Sequence, residues 1–308
     1  MSYIYIYSPS SAVRDKAAFR RGVKRLIELG HDVEVDPSAL SSHMRFAGDD
    51  ATRLEAIGRA AASGADVALI SRGGYGLTRL LKDLPYKAIA KSIERGTQFV
   101  GLSDFTALQS AVLAKTGAAT WAGPALGEDF GTADMPDDIM EACFDDMVCG
   151  QGEGTGWTLP TSDARYLQER SKTGDLGLSN ATLWGGNLTV LCSLIGTPWM
   201  PDIKGGVLFL EDVNEHPYRI ERQLTQLINA GILGRQKAVL LGAFNRYTAS
   251  PHDKGFKLQT VVDWVRQQVK TPVLTGLPFG HVPTKVMLPV GRKVDLMVQD
   301  RQALIFWG

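Results

Sequence analysis

A serine, a glutamate and a histidine, spread over both halves of the chain, are the residue types from which a nucleophilic acyl-transfer centre is built. Ser103 sits in residues 98–108, QFVGLSDFTAL. The β-type run Phe99, Val100, Leu102 stops there, and Phe105, Leu108, Val112 and Leu113 then recur at helical spacing. A serine on so sharp a strand-to-helix turn points its hydroxyl out of the carboxyl edge of a sheet. There the first N–H groups of the helix can stabilise an oxyanion. The same position suits a helix N-cap, so nucleophile and cap are both open on these residues.

A serine nucleophile needs a base, and the base an orienting carboxylate. Among five histidines, His281 is the one in a short loop after an apolar strand, where Gly280 flanks it. His31 opens a strand, His43 lies in a polar loop, His216 falls in the first turn of a helix and His252 follows a Ser-Pro turn; each has a surface explanation. Glu211, Asp212 and Glu215 are the available acids. Glu211 directly follows the apolar run 207–210 and is best placed to be held rigidly, although acids at such a junction also match the dipole of the next helix.

A glycine-rich loop, Ser71-Arg72-Gly73-Gly74-Tyr75-Gly76, follows the apolar strand Val67–Ile70. Its glycines allow close backbone approach and present unobstructed N–H groups, or simply make a tight turn. A dinucleotide site is the weaker reading, because GGYG is not GxGxxG and the strand before it is the third rather than the first. Trp184, beside Gly185 and Gly186, is either core or a substrate wall. Asn187 opens a helix and is either its cap or a substrate contact. Arg72, in the glycine-rich loop, and Arg219, after the acids, are cations that could hold an anionic substrate group, unless each pairs with a neighbouring acid.

The elements that must position these residues alternate. YIYIY (Tyr3–Tyr7), residues 33–35, Val67–Ile70, 98–102 and 119–121 read as strands, with helical segments between them, among them 50–62, 89–93 and 136–148. That pattern implies a parallel α/β sheet covered on both faces, with ligands at the carboxyl ends of its strands, where the glycine loop and Ser103 both lie. The glycine-rich stretch 149–154 reads as a linker, so domains of 1–150 and 151–308 are expected in a chain of 308 residues. In the second half, 157–180 reads as short β fragments and polar turns. A helix over 188–195, strands at 207–210 and 238–244, and helices from Glu215 and over 256–269 follow. The tail, 286–307, reads as antiparallel strands turning at 291–292 and 300–301.

Composition removes several alternatives. The 33 basic and 33 acidic residues balance, so no global field draws the chain to nucleic acid or to an anionic membrane. Three cysteines without CxxC spacing read as reduced, buried thiols. No apolar run approaches the roughly 18 residues of a membrane span, and residues 1–11 lack the pattern of a signal peptide, so a soluble cytoplasmic protein is expected. No HExxH or Cys/His spacing suggests a metal, and no cofactor is expected.

Five stretches in fixed order, SRGGYGLTRLL, GLSDFTAL, LWGGNLTVL, LFLEDVNEHPYRIERQLTQL and LPFGH, resemble the LD-carboxypeptidases, the murein tetrapeptide carboxypeptidases, over nearly the whole chain. The resemblance implies a serine peptidase with a flavodoxin-like N-terminal domain and a smaller mixed β/α C-terminal domain. It puts the nucleophile on Ser103, the triad acid on Glu211 and the base on His281. The oxyanion donors fall on the N–H of Asp104 and of Gly73 or Gly74; Arg72, Tyr75, Trp184, Asn187 and Arg219 are candidate substrate contacts. It further implies a metal-independent homodimer acting on small murein peptides, with one family branch that instead cleaves the peptidyl nucleotide microcin C. A rival of another class is a non-catalytic small-molecule binding protein, in which the loop and Asp104 grip a ligand and Ser103 only caps.

Overall fold

In the computed structural model, which describes residues 1–171 and 173–307, the first half of the chain alternates as its apolar spacing predicts. It runs β1 (Tyr3–Tyr7), α1 (Lys16–Glu28), β2 (Asp32–Val35), α2 (Asp50–Ala62), β3 (Val67–Ile70) and α3 (Tyr86–Glu94). Then come β4 (Gln98–Gly101), α4 (Thr106–Thr116), β5 (Thr120–Ala122) and α5 (Asp138–Val148). Aspartates start three of the helices: Asp15, Asp49 and Asp137 accept the N–H groups of Ala18, Thr52 and Met140. The second half contains β6 (Gly154–Thr158), α6 (Thr161–Arg170), β7 (Leu176–Asn187), α7 (Leu188–Ser193), β8 (Val207–Val213) and α8 (Pro217–Asn229). It closes with β9 (Ala238–Asn245), α9 (Leu258–Gln268), β10 (Val273–Leu274), β11 (Leu288–Val290), β12 (Lys293–Gln299) and β13 (Gln302–Phe306).

Two compact units result. The first comprises 1–152 with the segments 196–201 and 283–291; the second comprises 153–195, 202–282 and 292–308. Hence the second half of the chain is not one continuous domain, since two of its segments build into the first unit.

The first unit's sheet has the order β11-β5-β4-β3-β1-β2. β1 to β5 are parallel and β11 is antiparallel to β5. Every residue of β3 is buried, as expected of a strand covered on both faces. The strand order reverses between β1 and β3, and such a switch point leaves a crevice at the strands' carboxyl ends.

In the second unit the order is β10-β9-β8-β7-β12-β13-β6. β7 to β10 are parallel, whereas β12, β13 and β6 pair antiparallel. The architecture is thus α/β with a mixed sheet in each unit.

Three local expectations need correction. Residues 161–170, read as turns and β fragments, form α6; its Asp163 is buried against Arg266 at 2.9 Å, and Leu167 supplies the apolar contact. The tail does not fold back at 291–292, because β11 joins β5 of the first unit while β12 and β13 form a hairpin in the second. Cys143 and Cys192 are at least partly buried free thiols, but Cys149 is exposed where α5 ends. Among the described residues no helix is long and apolar enough to cross a membrane.

Candidate active site

Ser103 follows β4 after one extended residue, Leu102, and has φ 67°. That left-handed conformation is costly for a residue bearing a Cβ, by about 1 kcal/mol or more, and is found at nucleophile elbows. The chain enters α4 through a short 3-10 turn, Ser103–Phe105, and neither this turn nor α4 takes a side-chain cap. Ser103 therefore does not act as the N-cap that its position in the sequence left open.

The surroundings of Ser103 in the first unit explain how the strain is held. A Cβ on Gly73 would lie 2.7 Å from Ser103 Cβ and 3.1 Å from its Oγ, so only glycine lets the 71–76 loop lie this close. Asp104 is buried, and its carboxylate accepts the Ser10 hydroxyl at 2.7 Å and the Leu77 N–H at 2.9 Å. Burial pushes the Asp104 carboxyl above the usual range against the pull of these donors. Its side chain thus ties the elbow to the β1 loop and to the end of the glycine loop. The sequence offers Asp104 as an oxyanion donor through its N–H or as a ligand contact; this tie depends on three segments meeting, which spacing does not reveal. Arg53, fully buried, donates to Gly76 O at 2.9 Å and supports the loop from α2.

Within that loop Gly74 is exposed beside Ser11, whose hydroxyl accepts the Tyr75 N–H at 3.0 Å. Tyr75 is 44% exposed, with its ring centroid 5.9 Å from that of Phe46 and the Arg45 guanidinium 5.6 Å from it. Arg72 is half-buried, donates to Ala12 O at 3.1 Å and makes no ion pair among the described residues. Burial draws its pKa below the ordinary guanidinium value. It is a cation whose charge is available to an anionic group.

In the second unit Glu211 lies inside β8, two residues before its end, rather than ending the strand. The register with β9 shifts at this point. Leu210 pairs Leu241 but Asp212 pairs Phe244, so Gly242 and Ala243 together face Glu211. The loop before His281 docks at this bulge through Ala243 N–H to Phe279 O, 2.8 Å. A Cβ on Gly280 would come 3.0 Å from Glu211 Oε2, so glycine is what lets the loop close over the carboxylate. The Asn245 amide then donates to His281 O at 2.9 Å.

These contacts bring His281 Nδ1 to 2.8 Å from Glu211 Oε2, with the two side chains 7% and 0% exposed. With Glu211 a carboxylate, Nδ1 carries the proton and Nε2 is the basic nitrogen. Asn187 Nδ2 donates to Glu211 Oε1 and Asp212 Oδ1, both at 3.1 Å. Asp212 also accepts the N–H and hydroxyl of Thr189 and the N–H of Val213. Burial pushes the Asp212 carboxyl up, and these donors oppose it.

Three predicted substrate contacts take other roles. Trp184 is fully buried and donates Nε1–H to Gln236 at 3.1 Å, so it is core and not a substrate wall. Asn187 is buried; it caps α7 by accepting the Val190 N–H and holds Glu211, a role legible only from the parallel pairing of Asn187 with Glu211. Arg219 is exposed and lies 3.7 Å from Glu215, so it pairs with the neighbouring acid. Among the described residues no group of three or more His, Cys, Asp or Glu side chains could hold a metal.

Residues 4–123 match the LD-carboxypeptidase N-terminal domain, and residues 180–296 match the LD-carboxypeptidase C-terminal domain. The crystal structure of muramoyltetrapeptide carboxypeptidase from Oxalobacter formigenes is 38% identical and covers 98% of this chain and 97% of its own, with a TM-score of 0.85. This chain belongs to the LD-carboxypeptidase family. It is a hydrolase, a serine-type carboxypeptidase. A Bacillus subtilis (strain 168) relative named "Probable murein peptide carboxypeptidase" is 29% identical over 92% of this chain and 85% of its own length. The microcin C7 self-immunity protein MccF of Escherichia coli is 30% identical over 76% of this chain and 71% of its own length.

Proposed function

We propose that this LD-carboxypeptidase releases terminal D-alanine from murein tetrapeptides with Ser103 as nucleophile, His281 as general base and Glu211 as the orienting acid. The observation that carries the proposal is the buried 2.8 Å bond between His281 Nδ1 and Glu211 Oε2, because a carboxylate that fixes the tautomer makes Nε2 the proton acceptor. The strained φ of Ser103 supports its role. The 38% identity to the muramoyltetrapeptide carboxypeptidase supports the substrate class.

In this mechanism Ser103 Oγ attacks the carbonyl of the third, L-configured residue, and His281 Nε2 takes the hydroxyl proton. The tetrahedral oxyanion is stabilised by N–H groups of Asp104 and of Gly73 or Gly74, each donor contributing about 3 kcal/mol. His281 passes its proton to the amine of D-alanine as the C–N bond breaks; a water deprotonated by His281 then hydrolyses the acyl-enzyme. The reaction requires Ser103 Oγ and His281 Nε2 to come within hydrogen-bond reach during turnover. Arg72 takes the terminal carboxylate, and Tyr75 on the same loop flanks it. Action in the cytoplasm as a homodimer on recycled stem peptides belongs to the same reading.

Mass analysis after incubation with a defined murein tetrapeptide and, separately, with a peptidyl nucleotide tests it. The expected result is loss of one D-alanine from the peptide, unaffected by EDTA and absent in Ser103→Ala. Cleavage of the nucleotide alone moves the substrate to the microcin branch. Binding without turnover of either supports the binding-protein reading, and a Ser103→Ala variant that keeps most of its activity overturns the serine mechanism.

A further inference from the structure

His216, which the sequence placed in the first turn of a surface helix, is the N-cap position of α8, and its side chain is only 17% exposed. Its Nε2 lies 3.1 Å from Asp253 Oδ2, and the Asp253 carboxylate is itself held by the Ser250 N–H. Two tyrosines pack on the fixed imidazole. Tyr218 has its ring centroid 4.8 Å away at 39°, and Tyr247 lies 5.8 Å away at 61°. The Arg219 guanidinium sits 5.8 Å from the Tyr218 centroid, and its Nε donates to the Tyr218 hydroxyl at 3.2 Å. Even so, the Tyr218 side of the cluster remains open, with the residue 49% exposed.

The loops that carry these rings leave the strands that hold the Glu211–His281 pair. His216 follows Glu211 by five residues on the way out of β8, and Tyr247 follows Asn245, the last residue of β9, by two. Asn245 donates to His281 O, and the Asn214 N–H donates to Asn245 O at 2.9 Å, which ties both loops to the histidine. Tyr218 is pinned by a cation and an imidazole with much of its surface in solvent, just past a loop tied to the proposed base through Asn214 and Asn245.

We propose that His216, Tyr218 and Tyr247 form a ring-binding subsite of the active centre, in which Tyr218 stacks on a ring carried by the substrate peptide. His216 and Asp253 act as positioning residues for the platform. The shared ligand chemistry is a ring with one flat or C–H-bearing face, either the sugar of a muramoyl peptide or the base of a peptidyl nucleotide. This inference rests on the peptidase reading for the presence of substrate at Glu211 and His281.

Calorimetric titration of the Ser103→Ala protein measures the subsite without turnover. The probes are a muramoyl tetrapeptide, the same tetrapeptide without sugar, and a peptidyl adenosine. At least one ring-bearing probe should bind about tenfold more tightly than the bare peptide. Adding Tyr218→Leu should bring that ratio towards one, whereas Tyr218→Phe, which keeps the ring, should preserve it. Which probe shows the preference identifies the ring. No preference in the parent, or an unchanged ratio after both Tyr218→Leu and Tyr247→Leu, overturns the subsite. Cleavage of the bare tetrapeptide by the unmutated enzyme is scored separately, so loss of the ring preference and failure of the peptidase reading are distinct results.

Discussion

At the β4–α4 elbow the proposed nucleophile is positioned by main chain. Ser103 has φ 67°, Gly73 lies where any side chain would collide with it, and no side chain caps the turn. At the β8–β9 edge the proposed base is positioned by side chains: Glu211 receives His281 and Asn187, Asn245 holds the His281 carbonyl, and Asp212 is satisfied by Thr189 and Val213. The first arrangement stores strain and sacrifices stability for geometry. The second is a buried polar network in which both carboxylates are hydrogen-bonded, so stability and geometry have the same source. Substitutions should therefore separate activity from stability at the elbow and couple them at the edge.

The largest expected effect is at Ser103. Ser103→Ala and Ser103→Gly should each lower kcat/KM for D-alanine release by at least about 10⁴-fold. Ser103→Gly should also be about 1 kcal/mol more stable than Ser103→Ala in urea melts, because glycine adopts φ 67° without penalty. Equal stabilities would mean that the elbow holds no strain.

Gly73→Ala comes next. Its Cβ must displace Ser103, and a misplacement of that size costs about 10²-fold in kcat. Circular dichroism should show the fold retained. A fully active Gly73→Ala variant would mean the loop need not approach Ser103 so closely.

At the edge, Asn187→Ala withdraws a donor from Glu211 and from Asp212. Activity should fall about tenfold and stability by about 1–3 kcal/mol, because carboxylate oxygens lose a partner while buried. The diagnostic is that both quantities fall together, unlike at Ser103. A drop in activity with stability intact would make the two halves alike and erase the contrast.

What could be read from the sequence follows the same division. The elbow is written in consecutive residues: a β-type run, a serine, then helical periodicity, and β3 is recognisable because four adjacent apolar residues are buried on both faces. Glu211 and His281 stood out individually, by residue type and by their place after apolar strands. Asn187 did not reveal its task, because that depends on its register opposite Glu211, 24 residues away, a relation set by sheet pairing. Trp184 was ambiguous beside two glycines until β7 proved to be an interior strand with Gln236 waiting for the indole N–H. For β11 the signal was strand-like, but its partner, β5, lies more than 150 residues earlier in the chain.

Asp36 offers the mildest test, because it is a buried carboxylate network in the elbow's own unit with no part in the proposed chemistry. Its oxygens accept from Tyr5, from Ser38 through both N–H and hydroxyl, and from Arg59. Burial acts to raise its pKa, but Arg59, Ser38 and Tyr5 together outweigh that and hold it at about 2, below the 3.8 of an ordinary aspartate. A depressed carboxylate stabilises the fold fully above the unfolded value, and this contribution is lost as pH falls through about 2. The shift corresponds to about 2 kcal/mol at neutral pH. The stability gap between the parent and Asp36→Asn in urea melts should therefore be constant from pH 7 down to about 5 and shrink from there towards pH 2. D-alanine release at pH 7 should be unchanged in the variant while it remains folded. A gap that stays level down to pH 2 would mean that the donors around Asp36 hold shape without favouring its charge, so a polar network in this protein could fix geometry without adding stability, and the contrast with the elbow would lose its energetic basis.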